Sequence, residues 1–321
     1  MELLSIVICT RNRSALLAQT LGSLTQMRIP EDTSWEVVVV DNASLDNTSE
    51  VATNFWSLLP IRVVREPEVG TSFARNAGAQ NAGGDIIVWL DDDVIVDPGL
   101  LEAYSKAARQ HPGTDIFGGC VEPYFPNEPP AWLKQELPSL GVVYSLRMEL
   151  PIDGVIRLEH LPVAANMAVR SCVHRNIGFD PNLGRRGNTG PLGEETQLLS
   201  TAITRGHLGR WVPAARVCHY IMPSRQRPPY VREWFTSYAW ALRSMQPPGE
   251  SPEPQLCGFP RWAIRGLVEE EARYLLARLR GDHKSMVRAL KNLGLSCGAL
   301  RYCWDQGSFG RWARGGTTRG N

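Results

Sequence analysis

Short apolar runs and helix-patterned stretches alternate through the first ninety residues, and nothing else in the sequence restricts the fold as tightly. Residues 3–9 form a compact apolar run, followed by a helical pattern over 14–26 with Ser14 placed to cap it. WEVVVVD at 35–41 is β-branched and suits a buried parallel strand. Asn47 or Thr48 can open a helix to about residue 59, and residues 61–65 give a third strand. A helix over 70–82 and a fourth strand over 85–90 complete the series. Strands separated by helices imply βαβ units, hence an α/β fold with an open, mostly parallel twisted sheet and helices on both faces. Ligands of such sheets bind beyond the carboxyl ends of the strands. Asp41, Asn42 and the cluster Asp91, Asp92 and Asp93 all fall at such ends, so one crevice is expected to receive them.

The acidic cluster ends the run DIIVWLDDDVIVD. Strand side chains alternate, so Asp91 and Asp93 are expected on one side and Asp92 on the other. Two carboxylates converging there repel unless a cation joins them, and hard oxygen donors suit Mg²⁺ or Mn²⁺. A solvated turn is the plainer reading of three aspartates alone.

Beyond residue 97 the pattern loosens. Residues 123–140 are proline-rich and read as an irregular excursion; residues 161–170 resemble a strand, GEETQLLSTAITRG a helix ending at Gly206, and RWVPAARVCHYI a last core strand. After Pro223 the chain turns to basic, tryptophan-containing helical patterns. Val231, Trp234, Phe235, Tyr238, Leu242 and Met245 fall at helical spacing, as do Ile264, Leu267, Val268, Leu275, Leu276 and Leu279. The organisation expected is an α/β domain over 1–225, a basic helical extension over 226–306 and a disordered tail over 307–321.

The formal net charge of +1 conceals a split: 15 basic and 25 acidic side chains over 1–204, against 19 basic and 8 acidic over 205–321. That excess points to a polyanionic partner for the C-terminal third. Seven scattered cysteines without a CxxC pair read as reduced thiols. The start MELLSIVICTRNR does not have the order of a signal peptide, and no apolar stretch is long enough to cross a bilayer, so a cytoplasmic location is expected. The first βα turn, TRNRS, has no G-x-G-x-x-G, which disfavours a dinucleotide-dependent oxidoreductase.

The motifs SIVICTRNR, VVVVDNASLDNT, GTSFARNAG, GGDIIVWLDDDV, NMAV, GEETQLL and the His219 strand follow one another in a fixed order. Together, over roughly residues 3–225, they resemble family 2 of the inverting glycosyltransferases, nucleotide-sugar enzymes with the A-type α/β fold. The resemblance implies that Thr10 and Arg11 line the base and ribose, with Asp41, Asn42 and Arg75 in the same nucleotide pocket. The family usually has a carboxylate at the Asn42 position, where an amide oxygen accepts a base N–H more weakly. Asp41 is open to a second role, capping the loop that follows it. By resemblance Asp93 ligates the metal, Asp91 and Asp92 lie on the nucleotide-sugar side, and His219 adds a ligand. Glu195 matches the position of the general base, with Glu in place of the usual Asp. Adjacent helical residues diverge by about 100°, so Glu194 cannot share that role and is placed on the acceptor or diphosphate side with Asn166, Arg185 and Arg225. Arg185 and Arg186 either bind an anionic acceptor or are solvated.

The function implied is metal-dependent transfer of a sugar, with inversion, from a nucleotide-diphosphate sugar to an acceptor hydroxyl, with Mn²⁺ or Mg²⁺ as cofactor, in building a polysaccharide or glycoconjugate. The alternatives are a non-catalytic sugar-nucleotide-binding subunit and a nucleotidyltransferase. The expected partners are the donor, a glycan or lipid-linked acceptor, and an anionic membrane face touched peripherally by the C-terminal helices. Those helices could instead be soluble packing elements. No nucleic-acid partner is expected.

Overall fold

A computed structural model describes residues 3–186, 192–244, 255–256 and 258–306. Met245, Asn188 and the tail from 307 lie outside the described residues. The described residues fall into two compact units, one within 3–126, 144–186 and 193–221, the other within 127–143, 192 and 222–306.

In the first unit the β-branched runs form the centre of an eight-stranded sheet. Its strands are β1 (Leu3–Thr10), β2 (Ser34–Asp41), β3 (Ile61–Arg65), β4 (Ile86–Asp91), β5 (Val94–Val96), β6 (Ile116–Tyr124), β7 (Asn166–Arg170) and β8 (Gly209–Tyr220), in the order β3-β2-β1-β4-β7-β6-β8-β5. The helices are α1 (Ser14–Leu24), α2 (Thr48–Thr53), α3 (Thr71–Asn81), α4 (Leu100–Gln110), α6 (Ser171–Asn176) and α7 (Glu194–Thr204), while α5 (Ala131–Glu136) belongs to the second unit. Four of the seven strand pairings are parallel. β7 is antiparallel to both its neighbours, and β5 to β8. The expected α/β class and mostly parallel sheet are what the chain adopts. The central strands are buried on both faces, Ile6, Val7, Ile8 and Val37–Val40 among them, which is why they read as unbroken apolar runs.

Register decides where the site forms. Thr10 lies opposite Asp41, and Cys9 opposite Asp91, so three strands end side by side. β5 follows Asp93 directly and pairs with β8 so that Val94 faces His219. That pairing delivers the histidine to the aspartates.

One departure from expectation concerns Asn166. It is wholly buried at the start of β7, and its donors and acceptor are consumed inside the sheet. Nδ2 donates to the carbonyls of Cys120 and Ala215, both at 2.9 Å, and Oδ1 accepts from the Tyr104 hydroxyl at 2.7 Å. Those carbonyls flank the irregularity where β6 and β8 shift register, from Gly119 opposite Val212 to Cys120 opposite Arg216. The amide replaces ladder bonds lost at the bulge; each buried polar group left without a partner would cost about 1–3 kcal/mol. Gly119 makes room for it, since a Cβ there would lie 2.2 Å from Asn166 Nδ2. Asn166 is thus a structural residue of the sheet and not part of an acceptor loop.

The second unit contains α5, α8 (Pro228–Ser244), α9 (Arg261–Arg280) and α10 (His283–Gln306). The proline-rich excursion is more ordered than its composition suggests, because Ala131–Glu136 is helical and a 3₁₀ turn covers Leu137–Leu140. The buried side chains of α10, among them Val287, Leu290 and Leu293, form its apolar seam. α9 buries Ala263, Glu270 and Ala277, seven residues apart, and leaves much of its aliphatic content outside: Val268 is 73% and Leu279 85% exposed. Among the described residues no helix is long and apolar enough to cross a membrane.

Candidate active site

Asp91, Asp93 and His219 each present one ligand atom within 4.8 Å of the others. His219 Nδ1 lies 2.6 Å from the carbonyl of Tyr144; a carbonyl only accepts, so Nδ1 carries the proton. Nε2 then faces Asp93 Oδ1 at 3.1 Å. A histidine fixed through one nitrogen while the other meets carboxylates is the arrangement metal sites use to orient a ligand. Burial, and then the charge of Asp93, pushes Asp91 above the usual carboxylate range. A divalent cation would relieve that cost, and two carboxylates with one imidazole suit Mn²⁺ or Mg²⁺. The donor set fits the cofactor.

Asp92, in the turn between β4 and β5, is directed to the end of β1. Its Oδ2 accepts from the Thr10 hydroxyl at 2.8 Å, and its Oδ1 meets the Arg13 guanidinium. Burial lifts its pKa to about 6 despite that arginine. The same guanidinium reaches Asp93 Oδ2 at 3.1 Å through Nη2. Asp92 is therefore engaged with the end of β1 and the start of α1, and Asp93 gives one oxygen to Arg13 and the other to the His219 side. Arg13 was not among the sequence candidates. The available signal was its place immediately before α1, where the left-handed turn at Asn12 (φ 53°) redirects the chain.

On the other side of Asp91 stands Arg75, on α3. Its Nη1 lies 2.6 Å from Glu194 Oε1 and 2.9 Å from Glu195 Oε2, and its Nη2 lies 3.9 Å from Asp91 Oδ1. The Phe179 ring covers the guanidinium with its centroid 5.5 Å away. Both glutamates open α7, which starts after Gly193 in the left-handed region at φ 106°, a backbone that favours glycine. Glu194 points inward with its side chain 8% exposed, whereas that of Glu195 is 24% exposed. Burial raises the Glu194 carboxyl, outweighing Arg75. Arg147 was also missed. Its Nε donates to the Leu161 carbonyl at 2.9 Å, and burial lowers its pKa while the charge of Glu195 opposes that shift.

The loops after β1 and β2 are tied together. Asn12 N–H donates to Ser44 Oγ at 3.0 Å, and Leu45 N–H to Asn12 Oδ1 at 2.7 Å. Asp41 serves as the cap of its loop: Oδ1 accepts from Ser44 N–H at 2.9 Å and Oδ2 from the Ser49 hydroxyl. Asn42 donates through Nδ2 to the carbonyls of Glu66 and Glu68 (3.2 and 2.6 Å) and accepts from Gly70 N–H at 2.8 Å. Only an amide can do all three, because an ionised carboxylate cannot donate. The Nε of Arg11 is buried without a hydrogen-bond partner among the described residues, an arrangement that suits an acceptor-rich ligand. Arg185 contributes its carbonyl, which receives Thr71 N–H at 2.9 Å at the start of α3. Arg186 lies over the Phe73 ring at 5.7 Å. Arg225 closes the 3₁₀ turn Pro223–Arg225 in the second unit. Asp91, Asp93, His219, Arg75, Glu194 and Glu195 thus come together, while Asn166 does not join them.

A family model described as "Glycosyl transferase family 2" matches residues 5–168. Validoxylamine A glucosyltransferase of Streptomyces hygroscopicus subsp. limoneus is 37% identical over 130 residues, which cover 40% of this chain and 28% of that protein. Glycosyltransferase AglE of Haloferax volcanii is 28% identical over 181 residues, or 56% of each chain. The chain therefore spans less than two thirds of the length of these relatives. Among solved structures, the mannosyltransferase PcManGT of Pyrobaculum calidifontis, in complex with GDP-Man and Mn²⁺, superposes with a TM-score of 0.60 at 19% identity, covering 95% of this chain and 88% of that one. S. aureus TarS 1–349 in complex with UDP gives 0.55 at 16% identity, over 99% and 93% of the two chains. These likenesses bear on the fold.

Proposed function

The chain belongs to glycosyl transferase family 2, and from that premise we propose that residues 1–225 transfer a sugar from a nucleotide-diphosphate donor to an acceptor hydroxyl with inversion at the anomeric carbon. The observation that most supports this is the convergence of Asp91, Asp93 and His219 with Glu195 around Arg75 at the carboxyl ends of the strands. Asp91, Asp93 and His219 would hold Mn²⁺ or Mg²⁺, which when bound neutralises charge growing on the diphosphate leaving group. Thr10 and Arg11 line the nucleotide side. Glu195 accepts the hydroxyl proton as that oxygen attacks the face opposite the nucleotide, so one displacement inverts the centre. The acceptor is a glycan or a lipid-linked sugar of polysaccharide or glycoconjugate synthesis.

The test is a thermal-shift screen of UDP-, dTDP- and GDP-sugars with Mn²⁺, followed by donor hydrolysis on whichever stabilises the protein. The expected result is a Tm that climbs with log concentration for one donor, with slow hydrolysis lost in excess EDTA. Binding without hydrolysis or transfer to any acceptor would favour the non-catalytic binding subunit.

We also assign the C-terminal helices to peripheral contact with an anionic membrane face, from the basic excess of the chain beyond residue 204 and the exposed Val268, Leu275 and Leu279 of α9. Each Lys or Arg at such a surface contributes about 1 kcal/mol, attenuated within a Debye length. Co-sedimentation with anionic vesicles at low salt, reversed at high salt, is expected. Indifference to anionic lipid would reject it.

A further inference from the structure

The family resemblance puts Arg75 in the nucleotide pocket, but its surroundings point elsewhere. We propose that Arg75 is a positioning residue for the base Glu195, anchored by Glu194 and linked through Asp91 to the metal-binding corner. This rests on Glu195 being the base, as proposed above.

Four contacts enclose the guanidinium: two glutamates share Nη1, Asp91 lies beyond Nη2, and the Phe179 ring covers one face. The Arg75 side chain is only 8% exposed, so little of it is left for a nucleotide to reach. The support behind it is equally fixed. Phe179 N–H donates to Asn76 Oδ1 at 2.9 Å, and Asn76 Nδ2 donates back to the Phe179 carbonyl at 2.8 Å. Trp89 meets the same ring edge-on, with centroids 5.3 Å apart. Asn76 follows Arg75 on α3, so one helix sets both the cation and the aromatic wall.

The consequence falls on the two glutamates unequally. Glu194 is buried against Nη1 and serves as the anchor. Glu195 gives Oε2 to the same nitrogen, and its Oε1 has no protein partner among the described residues. One oxygen held by a rigid cation and the other left to accept a proton is the geometry a base needs, because its free lone pair then has a defined direction. The contact with Asp91 ties that direction to a ligand of the metal site, setting the acceptor oxygen relative to the diphosphate.

The test uses the full chain, with UDP-glucose and GDP-mannose as donors in Mn²⁺ and calorimetric titration of UDP and GDP. Arg75→Gln is expected to lower kcat by about 10²-fold, the cost of misplacing a reacting group by roughly 1 Å, with donor KM and nucleotide affinity within about threefold of the parent. Arg75→Lys should recover part of that loss, since an ammonium keeps the charge but not the planar fork. Glu194→Ala, which frees the anchor, should lower kcat in the same way, and it tests the proposal if Arg75→Gln fails to fold. A nucleotide affinity reduced tenfold or more with kcat retained would overturn the proposal and return Arg75 to the nucleotide pocket. If Glu195→Gln keeps full kcat, it is the base assignment that fails, whatever Arg75 does.

Discussion

Asp93→Ala is expected to abolish Mn²⁺-dependent donor binding, lowering nucleotide affinity in Mn²⁺ by at least about 10²-fold while the fold persists. Altering the groups that merely orient metal ligands costs 10–100-fold, and a ligand itself costs no less. Asp93 is in addition the shared neighbour of His219 and Arg13, so its removal leaves the imidazole facing no carboxylate at that position. Folding should tolerate the change, because the substitution removes one of three crowded acidic groups. Asp92, which joins Arg13 to Thr10, remains in place. Calorimetric titration of UDP and GDP with and without Mn²⁺, beside circular dichroism, reads both quantities. Full activity of the parent protein in excess EDTA would sink the metal assignment altogether.

Glu195→Gln is the second large effect. Glutamine has the same shape and can still accept a hydrogen bond from Arg75 through its amide oxygen, but it cannot take a proton. Donor affinity should stay near that of the parent while turnover falls by about 10²–10⁴-fold, the range for removing a general base. Glu194→Gln should cost far less. That carboxyl is buried against Arg75, and the amide oxygen of a glutamine can still accept from the guanidinium. Single-turnover rates with saturating donor separate chemistry from binding. Were the two effects exchanged, the base would be Glu194 and the reading of the GEETQLL helix would be one residue out of step.

The parts legible in sequence are those where local pattern and tertiary role coincide. β1 to β4 and the helices between them are written in runs such as VVVV and IIVWL, since strands covered on both faces have no polar side to present. β6 escaped the sequence reading because IFGGCVEPY has two glycines and a proline, which ordinarily signal a turn. The structure uses that composition: Gly118 lies where a Cβ would meet the Trp211 ring at 2.6 Å, and Gly119 clears space for Asn166. Asn166 misled for a related reason. The resemblance of NMAV puts it on the acceptor side, whereas a bulge 46 residues away supplies its partners. The apolar residues of α9 at helical spacing leave membrane contact and core packing open, and the structure buries Ala263 and Ala277 while leaving Val268 and Leu279 exposed.

What the sequence by itself determined is the α/β class and the position of the acidic cluster at a strand's carboxyl end, because both follow from local periodicity and from the fixed direction of parallel strands. The tertiary structure alone decided which cation each carboxylate meets. Arg13 reaches Asp92 across 79 positions, and Arg75 reaches Glu194 and Glu195 across 119 and 120. Asp92 and Asp93 lie in the turn between β4 and β5, and the packing of α1, α3 and α7 chose the partners. The reason is physical: ion-pair energies in a buried site change steeply over a few ångströms, and sequence carries periodicity but not those distances.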